Sequence, residues 1–234
     1  MSERGLLVTV EGGDGSGKAT QANLTRTAFE NVGRPVYKTS FPRYGQESAI
    51  YVEKYLNGEY GDSVDALPPE VAGVLFAVDR MAGTQEIETW LKEHPDGIAV
   101  LDRYIDSNQA HQGAKIGNTA VRHAFYKQLT SYETNVLGIL VPDLNIVLNV
   151  PPKIAQLNVD AKDKSVREYT TRKRDIHEAD AEYLEKVKAC YAEIAAMYPD
   201  THAVIECVDE STGEMRSRED IQAEIQLAIA PLLK

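Results

Sequence analysis

Short runs rich in β-branched residues alternate along the chain with longer segments of helical period. The runs at 6–11, 35–40, 97–102, 144–150 and 202–208 are mostly closed by Gly, Pro or a polar residue, and read as buried strands. Between them, segment 18–32 places Leu24, Ala28 and Val32 four apart and stops at Gly33, a helix C-terminal signal. Segment 178–198 sets Leu184, Val187, Tyr191, Ile194 and Tyr198 at alternating steps of three and four, and Pro199 closes it. This is the spacing of a buried stripe. In segment 70–91, at about 100° per residue, Val71, Val74, Leu75, Val78 and Ala82 cluster on one side and read as the core stripe. Phe76 and Arg80 then fall opposite, flanked by Gly73 and Gly83.

Alternation of this kind predicts an α/β fold of three layers, α/β/α, with a five-stranded parallel sheet flanked by helices. Ligands of such sheets are expected at the carboxyl ends of the strands. No internal repeat or low-complexity linker divides the chain, so a single domain over 1–234 is expected. At 43% hydrophobic and 26% charged the composition is that of a soluble globule. The formal charge of −11 argues against nucleic acid and against an anionic membrane surface as partners. Any phosphate site must therefore be a local positive island. Cys190 and Cys207 are far apart, which suggests neither a disulfide framework nor a zinc site and points to the cytoplasm. No run approaches the ~18 apolar residues of a membrane span, and the N-terminal apolar run leads into a glycine loop rather than a signal-peptide cleavage site. None of the five histidines is paired at metal-ligand spacing.

That loop is Gly12, Gly13, Asp14, Gly15, Ser16, Gly17 and Lys18, set where the first strand hands over to the first helix. This is the context a phosphate loop requires. Glycines let several N–H groups point inward, the following helix adds its positive end, and Lys18 reaches the β/γ-phosphates. The motif wants Ser or Thr directly after the lysine to hold Mg²⁺, and here that residue is Ala19. Thr20 comes one residue late, about 100° further around the helix, so magnesium needs another ligand or waters.

Four further segments complete a pattern: PheProArgTyrGly at 41–45, LeuPheAlaValAspArg at 75–80, AspArgTyrIleAspSerAsnGlnAlaHisGlnGly at 102–113, and ArgAspIleHisGluAlaAsp at 174–180. With the loop, they resemble the thymidylate kinase family in order from position 11 to position 180. The resemblance implies a P-loop kinase fold, the reaction ATP + dTMP ⇌ ADP + dTDP in dTTP synthesis, a requirement for Mg²⁺, and a homodimer. The acceptor is a phosphate monoester with a second pKa near 6, so positioning and charge neutralisation suffice without a general base. Arg43, Arg80 and Arg103 each lie inside a motif and suit the meeting of two polyanions.

By resemblance, residues 12–20 hold ATP, Arg103 binds the acceptor phosphate, and Asp102 orients the magnesium waters. Arg43 and Tyr44 lie near the same phosphate, with Phe41 beside them. Phe76 stacks on thymine and Arg80 bonds its carbonyl edge. Asn108 both donates and accepts, which suits the N3–H and O4 edge, and Gln112 belongs with the substrate ligands. His111 stands where the family commonly has Tyr, a ring that excludes a ribose 2′-hydroxyl. Asp14 contacts the sugar 3′-hydroxyl or the magnesium, and Glu178 approaches the magnesium.

From 162 to 174 the local charge is +4, as in a kinase lid of about 162–177. Because the loop carries no arginine, the chain looks like the lid-arginine type, with Arg167 or Arg172 as candidates. Plainer roles stay open for several of these residues. Phe41 serves equally as core, Phe76 packs a second helix layer, Arg80 snorkels, Asp14 forms a turn, and Glu178 is a helix N-terminal charge. The rival functions are a P-loop kinase for another nucleoside or nucleoside monophosphate, and a nucleotide-binding module without turnover, which Ala19 keeps open. A GTPase-like switch is weakened by the lack of an AsnLysxxAsp tetrad.

Overall fold

The computed structural model describes residues 4–161 and 181–233. In chain order the elements are β1 (Leu6–Glu11), α1 (Lys18–Asn31), β2 (Val36–Ser40), α2 (Ile50–Leu56), α3 (Pro69–Glu93), β3 (Ile98–Asp102), α4 (Ile105–Gly113) and α5 (Thr119–Ser131). A π-helical turn over Tyr132–Val136 continues α5. Then come β4 (Leu144–Asn149), α6 (Pro152–Ala161), α7 (Ala181–Met197), β5 (His202–Glu206) and α8 (Arg218–Ile229). All five expected strands form.

The sheet is parallel throughout, in the order β2-β3-β1-β4-β5. Its register aligns Asp102 with both Val10 and Ser40. The carboxyl ends of β1, β2 and β3 are therefore level, and the loops that follow them leave from one edge. Alternation along each strand sends successive side chains to opposite faces. Val8, Val10, Val100, Ile146 and Leu148 pack with Phe29 of α1 and Ile225 of α8. On the other face, Leu7, Ala99 and Leu101 meet Ile87 and Leu91 of α3, and Val147 meets Val187, Tyr191 and Ile194 of α7. The result is three layers, with Glu11 on the α3–α7 side.

The stripe expected on α7 is the buried one, but two others are rotated. On α1 the buried side chains beyond Lys18 are Gln21, Ala22, Thr25 and Phe29, while Val32 is 75% exposed. Phe29 anchors that helix, and its polar neighbours find partners on α8: Gln21 Nε2 donates to Arg218 O at 3.1 Å and Thr25 Oγ1 to Gln222 Oε1 at 3.2 Å. On α3 the aliphatic stripe faces outward, with Val71 46% and Val74 37% exposed. The inward side carries Gly73, Ala77, Asp79, Arg80, Gly83 and Thr84, and joins apolar clusters at its two ends, at Ala72 beside Val52 and Leu56 and at Ile87 and Leu91. A polar face turns inward here because its charges meet partners there. Among the described residues no helix is long and apolar enough to cross a membrane.

Candidate active site

Gly12, Gly15 and Gly17 have φ of 138°, 78° and 92°, a region that disfavours other residues. At Gly12 a Cβ would also lie 2.8 Å from Leu148 O and 2.9 Å from Ser16 Oγ. The loop thus wraps over the end of β1 and delivers the N-terminus of α1. Lys18 is buried, its Nζ donating to Gly13 O at 2.6 Å. Burial, and then the nearby Arg103 guanidinium, pull its pKa down to about 7. Ser16 is buried and its Oγ has no hydrogen-bond partner. Ala19 is exposed and Thr20 half-buried.

Arg103 directly follows β3 with φ 67°, a left-handed conformation that costs a non-glycine residue energy. Its N–H still donates to Val10 O at 3.0 Å. The left-handed turn throws the side chain across the glycine loop. Nη1 donates to Gly12 O at 3.2 Å and Ser107 Oγ at 3.3 Å, while Nη2 pairs with the Asp14 carboxylate. Burial works against the guanidinium charge, but Asp14, Tyr191, Asp102 and Glu11 outweigh it and hold the pKa above its ordinary value.

Arg43 leaves the end of β2 and is fixed by α3. Its N–H donates to Asp79 Oδ2 at 2.7 Å, Nε to Asp79 Oδ1 at 3.1 Å, and Nη2 to Ser48 Oγ at 2.9 Å and Asp79 O at 3.1 Å. Phe41, 3% exposed, lies in the core with its ring 5.5 Å from Tyr104. The Arg43 guanidinium rides 5.6 Å over that ring, so Phe41 supports Arg43 from below. Tyr44 is 36% exposed.

Arg80 does not lie on an outer face. It is 2% exposed and forms a two-pronged pair with Glu133, Nε to Oε2 and Nη2 to Oε1, each at 2.6 Å. Asn108 Nδ2 donates to the same Oε1 at 2.7 Å and to Gly73 O at 2.9 Å. Phe76 is half-buried and edge-on to Tyr55 at 6.2 Å. One turn beyond Asn108 on α4, Gln112 is fully buried with neither amide atom partnered. His111 Nδ1 lies 3.2 Å from the Tyr183 hydroxyl, which donates to His111 O at 2.8 Å.

A chain of contacts thus links the three motif arginines: Arg43 to Asp79, next in sequence to Arg80, then Glu133 and Asn108, then neighbouring Ser107 and Arg103. Sequence reasoning missed the carboxylates in this chain, and also Glu11. Glu11 is fully buried, and its Oε2 accepts from Ser107 Oγ at 2.5 Å and Tyr191 OH at 3.4 Å. Burial, then Asp106, raise its pKa to about 7. Glu11 stands just before the glycine loop, which is the only sequence signal it offers. Arg167, Arg172 and Glu178 lie outside the described residues. Among the described residues no group of three or more His, Cys, Asp or Glu is arranged to hold a metal ion.

The sequence model of a family described as thymidylate kinase matches residues 10–218. A thymidylate kinase of Mycobacterium tuberculosis is 33% identical over 193 residues, which is 82% of this chain and 86% of that protein. One from Clavibacter michiganensis is 28% identical over 236 residues, 98% of this chain and 96% of its own. A solved thymidylate kinase from Candida albicans shares the fold at a TM-score of 0.69, with 22% identity, over 98% of this chain and 92% of that one. A glycine loop bonded to the motif-borne Arg103 at the carboxyl edge of a parallel sheet agrees with these matches, and the chain belongs to the thymidylate kinase family, which transfers a phosphoryl group from ATP to dTMP.

Proposed function

We propose that this chain runs ATP + dTMP ⇌ ADP + dTDP across the gap between its glycine loop (12–18) and the Arg43–Arg103 edge of the sheet. The observation that carries the reading is the reach of Arg103. This one guanidinium bonds Gly12 O and Asp14 on the donor side and Ser107, next to Asn108, on the acceptor side. The loop N–H groups and Lys18 take the ATP phosphates. Arg103 exchanges Asp14 for the acceptor phosphate, which frees Asp14 for the sugar hydroxyl or the metal, and Arg43 supplies the second guanidinium. The dTMP phosphate, dianionic at neutral pH, attacks without a base. Phe76 stacks on the base, Asn108 and Gln112 read its edge, and His111 sits beside the sugar. By the family resemblance, Arg167 or Arg172, outside the described residues, is the candidate to stabilise charge on the transferring phosphoryl group.

The residues present fit Mg²⁺, a hard cation that prefers oxygen and keeps several waters. Asp14 and Asp102 offer carboxylates, Ser16 Oγ is a buried oxygen without a partner, and Glu178 completes the candidate set. When bound, the metal neutralises charge on the phosphate oxygens.

We read 1–234 as one domain. Its first helix is bonded to its last through Gln21 and Thr25. The outward stripe of α3, with Val71 46%, Val74 37% and Met81 41% exposed, suits a second copy of the chain. Light scattering should then return about twice 25.9 kDa. Two unoxidised cysteines, both buried, accord with the cytoplasm. The test is a coupled assay of ADP release with dTMP, dUMP, thymidine and dGMP as acceptors. Fastest turnover with dTMP and none with thymidine is expected. Turnover of thymidine but not dTMP would overturn the reading.

A further inference from the structure

We propose that Glu133 is a specificity-determining residue. By holding the Asn108 amide with its oxygen unpartnered and its NH₂ consumed, it makes the site select a base that carries N3–H. The inference deepens the proposal above, since it rests on the base lying along Phe76, Asn108 and Gln112. The bland alternative is a buried ion pair that merely ties α3 to the end of α5.

Glu133 is fully buried in the π-helical turn, a helix defect often met at functional sites. Its Oε1 accepts from Arg80 Nη2 and from Asn108 Nδ2, at 2.6 and 2.7 Å. The second hydrogen of that NH₂ goes to Gly73 O at 2.9 Å. A primary amide has only these two hydrogens, so the donor half of Asn108 is spent. Both partners are acceptors only. Turning the amide over would set Oδ1 against a carboxylate and a carbonyl, acceptor against acceptor, and would cost both of them the hydrogen bond from Asn108 in a buried site. Oδ1 is meanwhile buried with no partner. One carboxylate thereby fixes an acceptor and, through Nε and Nη2 of Arg80, leaves the Nη1 edge of that guanidinium as a fixed donor.

A 4-oxo pyrimidine presents N3–H beside a carbonyl, and matches an acceptor beside a donor. A 4-amino pyrimidine presents a bare N3 beside NH₂, the reverse on both counts. Gln112, whose two amide atoms are unpartnered, can turn either way and so cannot discriminate alone. The orientation imposed by Glu133 supplies the choice between the two classes of base.

The test compares kcat/KM for dTMP and dCMP in wild type and Glu133→Gln. A glutamine at 133 can offer its own NH₂ to Asn108 and let that amide turn over. The dTMP:dCMP ratio should fall about 10-fold or more, the worth of one buried hydrogen bond. If both rates fall in parallel and the ratio holds, Glu133 is only structural and the inference is overturned. A wild type with no preference for dTMP over dCMP would instead overturn the assignment of the base site, and the inference with it. Should Glu133→Gln fail to fold, the wild type still decides. Its Asn108 side-chain NH₂ signal, identified by its loss in Asn108→Ser, should stay protected from exchange and nearly unshifted when dTMP is added. An NH₂ that moves onto the base overturns the proposal.

Discussion

Gly83→Ala separates the acceptor half of the site from the donor half with a single methyl group. A Cβ at Gly83 would lie 2.9 Å from Phe41 Cζ and 3.0 Å from both Cζ and Nη1 of Arg43, against a normal carbon contact of about 3.5–4.0 Å. Phe41 is held in the core, whereas the Arg43 side chain is 17% exposed, so Arg43 gives way. The helix itself gains about 1 kcal/mol on replacing glycine by alanine. Against this stands the weakening of a charge-assisted bond to Asp79 or Ser48, about 1.5–3 kcal/mol. The net loss of about 0.5–2 kcal/mol lowers Tm by only a few degrees in a chain of this size, so the variant folds. Activity should suffer far more, because misplacing a positioning group by about 1 Å costs up to ~100-fold. In a coupled ADP assay kcat/KM for dTMP should drop about 10- to 100-fold, with KM for ATP unchanged. Gly117→Ala, where a Cβ meets nothing within 4 Å, is the matched control. An unaltered kcat/KM for dTMP, or an equal loss against ATP, would refute the placing of Arg43 at the acceptor phosphate.

Lys18→Ala removes the sole cation of the glycine loop and should abolish most phosphoryl transfer while leaving Tm near wild type; near-normal kcat would refute the phosphate-loop role. Phe76→Ala should weaken dTMP binding by about 1–3 kcal/mol through lost stacking, read by calorimetric titration, and an effect confined to ATP would contradict the base slot. Glu11 ties stability to pH, because its pKa rises from 4.5 to about 7 on folding. The folded chain therefore holds this proton more tightly, and stability is lost as pH rises through that window. On the order of 2–3 kcal/mol should disappear between about pH 5 and 8 in wild type and persist in Glu11→Gln. Denaturant titrations that differ between the two proteins by the same amount at every pH would exclude the effect.

The strands were legible because a parallel sheet buried on both faces writes itself as short apolar runs. The glycine loop was legible because its chemistry is local. Helix faces were less so. On α1 the single ring of Phe29 outweighs the Leu24–Val32 row, and on α3 a row of valines reads as core although Asp79 and Arg80 turn the opposite side inward. What drives that inversion is pairing at long range: Arg43 with Asp79 across 36 residues, Arg80 with Glu133 across 53, Arg103 with Asp14 across 89. No periodicity within one helix encodes a partner on another. Glu133 was hidden further by its π-helical turn, which shifts the helical phase that sequence arithmetic assumes. Among the candidate site residues, the arginines were readable from their motifs, whereas the carboxylates that orient them belong to tertiary structure.

Those carboxylates change how the site must handle charge. Arg43 and Arg103 were expected to meet the acceptor phosphate and Arg80 the edge of the base, yet each guanidinium is already paired, and the pairs differ in access to water. Arg80 and Glu133 have side chains 3% and 0% exposed. Removing either partner of so buried a pair strands an uncompensated charge, at about 3–5 kcal/mol, so the pair stays together and presents a neutral unit suited to a neutral base. Asp79 is equally closed at 1%, but Arg43 keeps 17% of its side chain in reach and can add a phosphate contact without leaving its partner. Asp14 and Arg103 are 21% and 18% exposed, the most open of the three pairs, so a change of partner costs least there. On the proposed reading, specific recognition of the base belongs with the closed pair, and turnover of the phosphate with the open one. If dTMP binds as proposed, a chain of net charge −11 admits two polyanions by swapping carboxylate for phosphate at Arg103, without assembling a strongly basic surface.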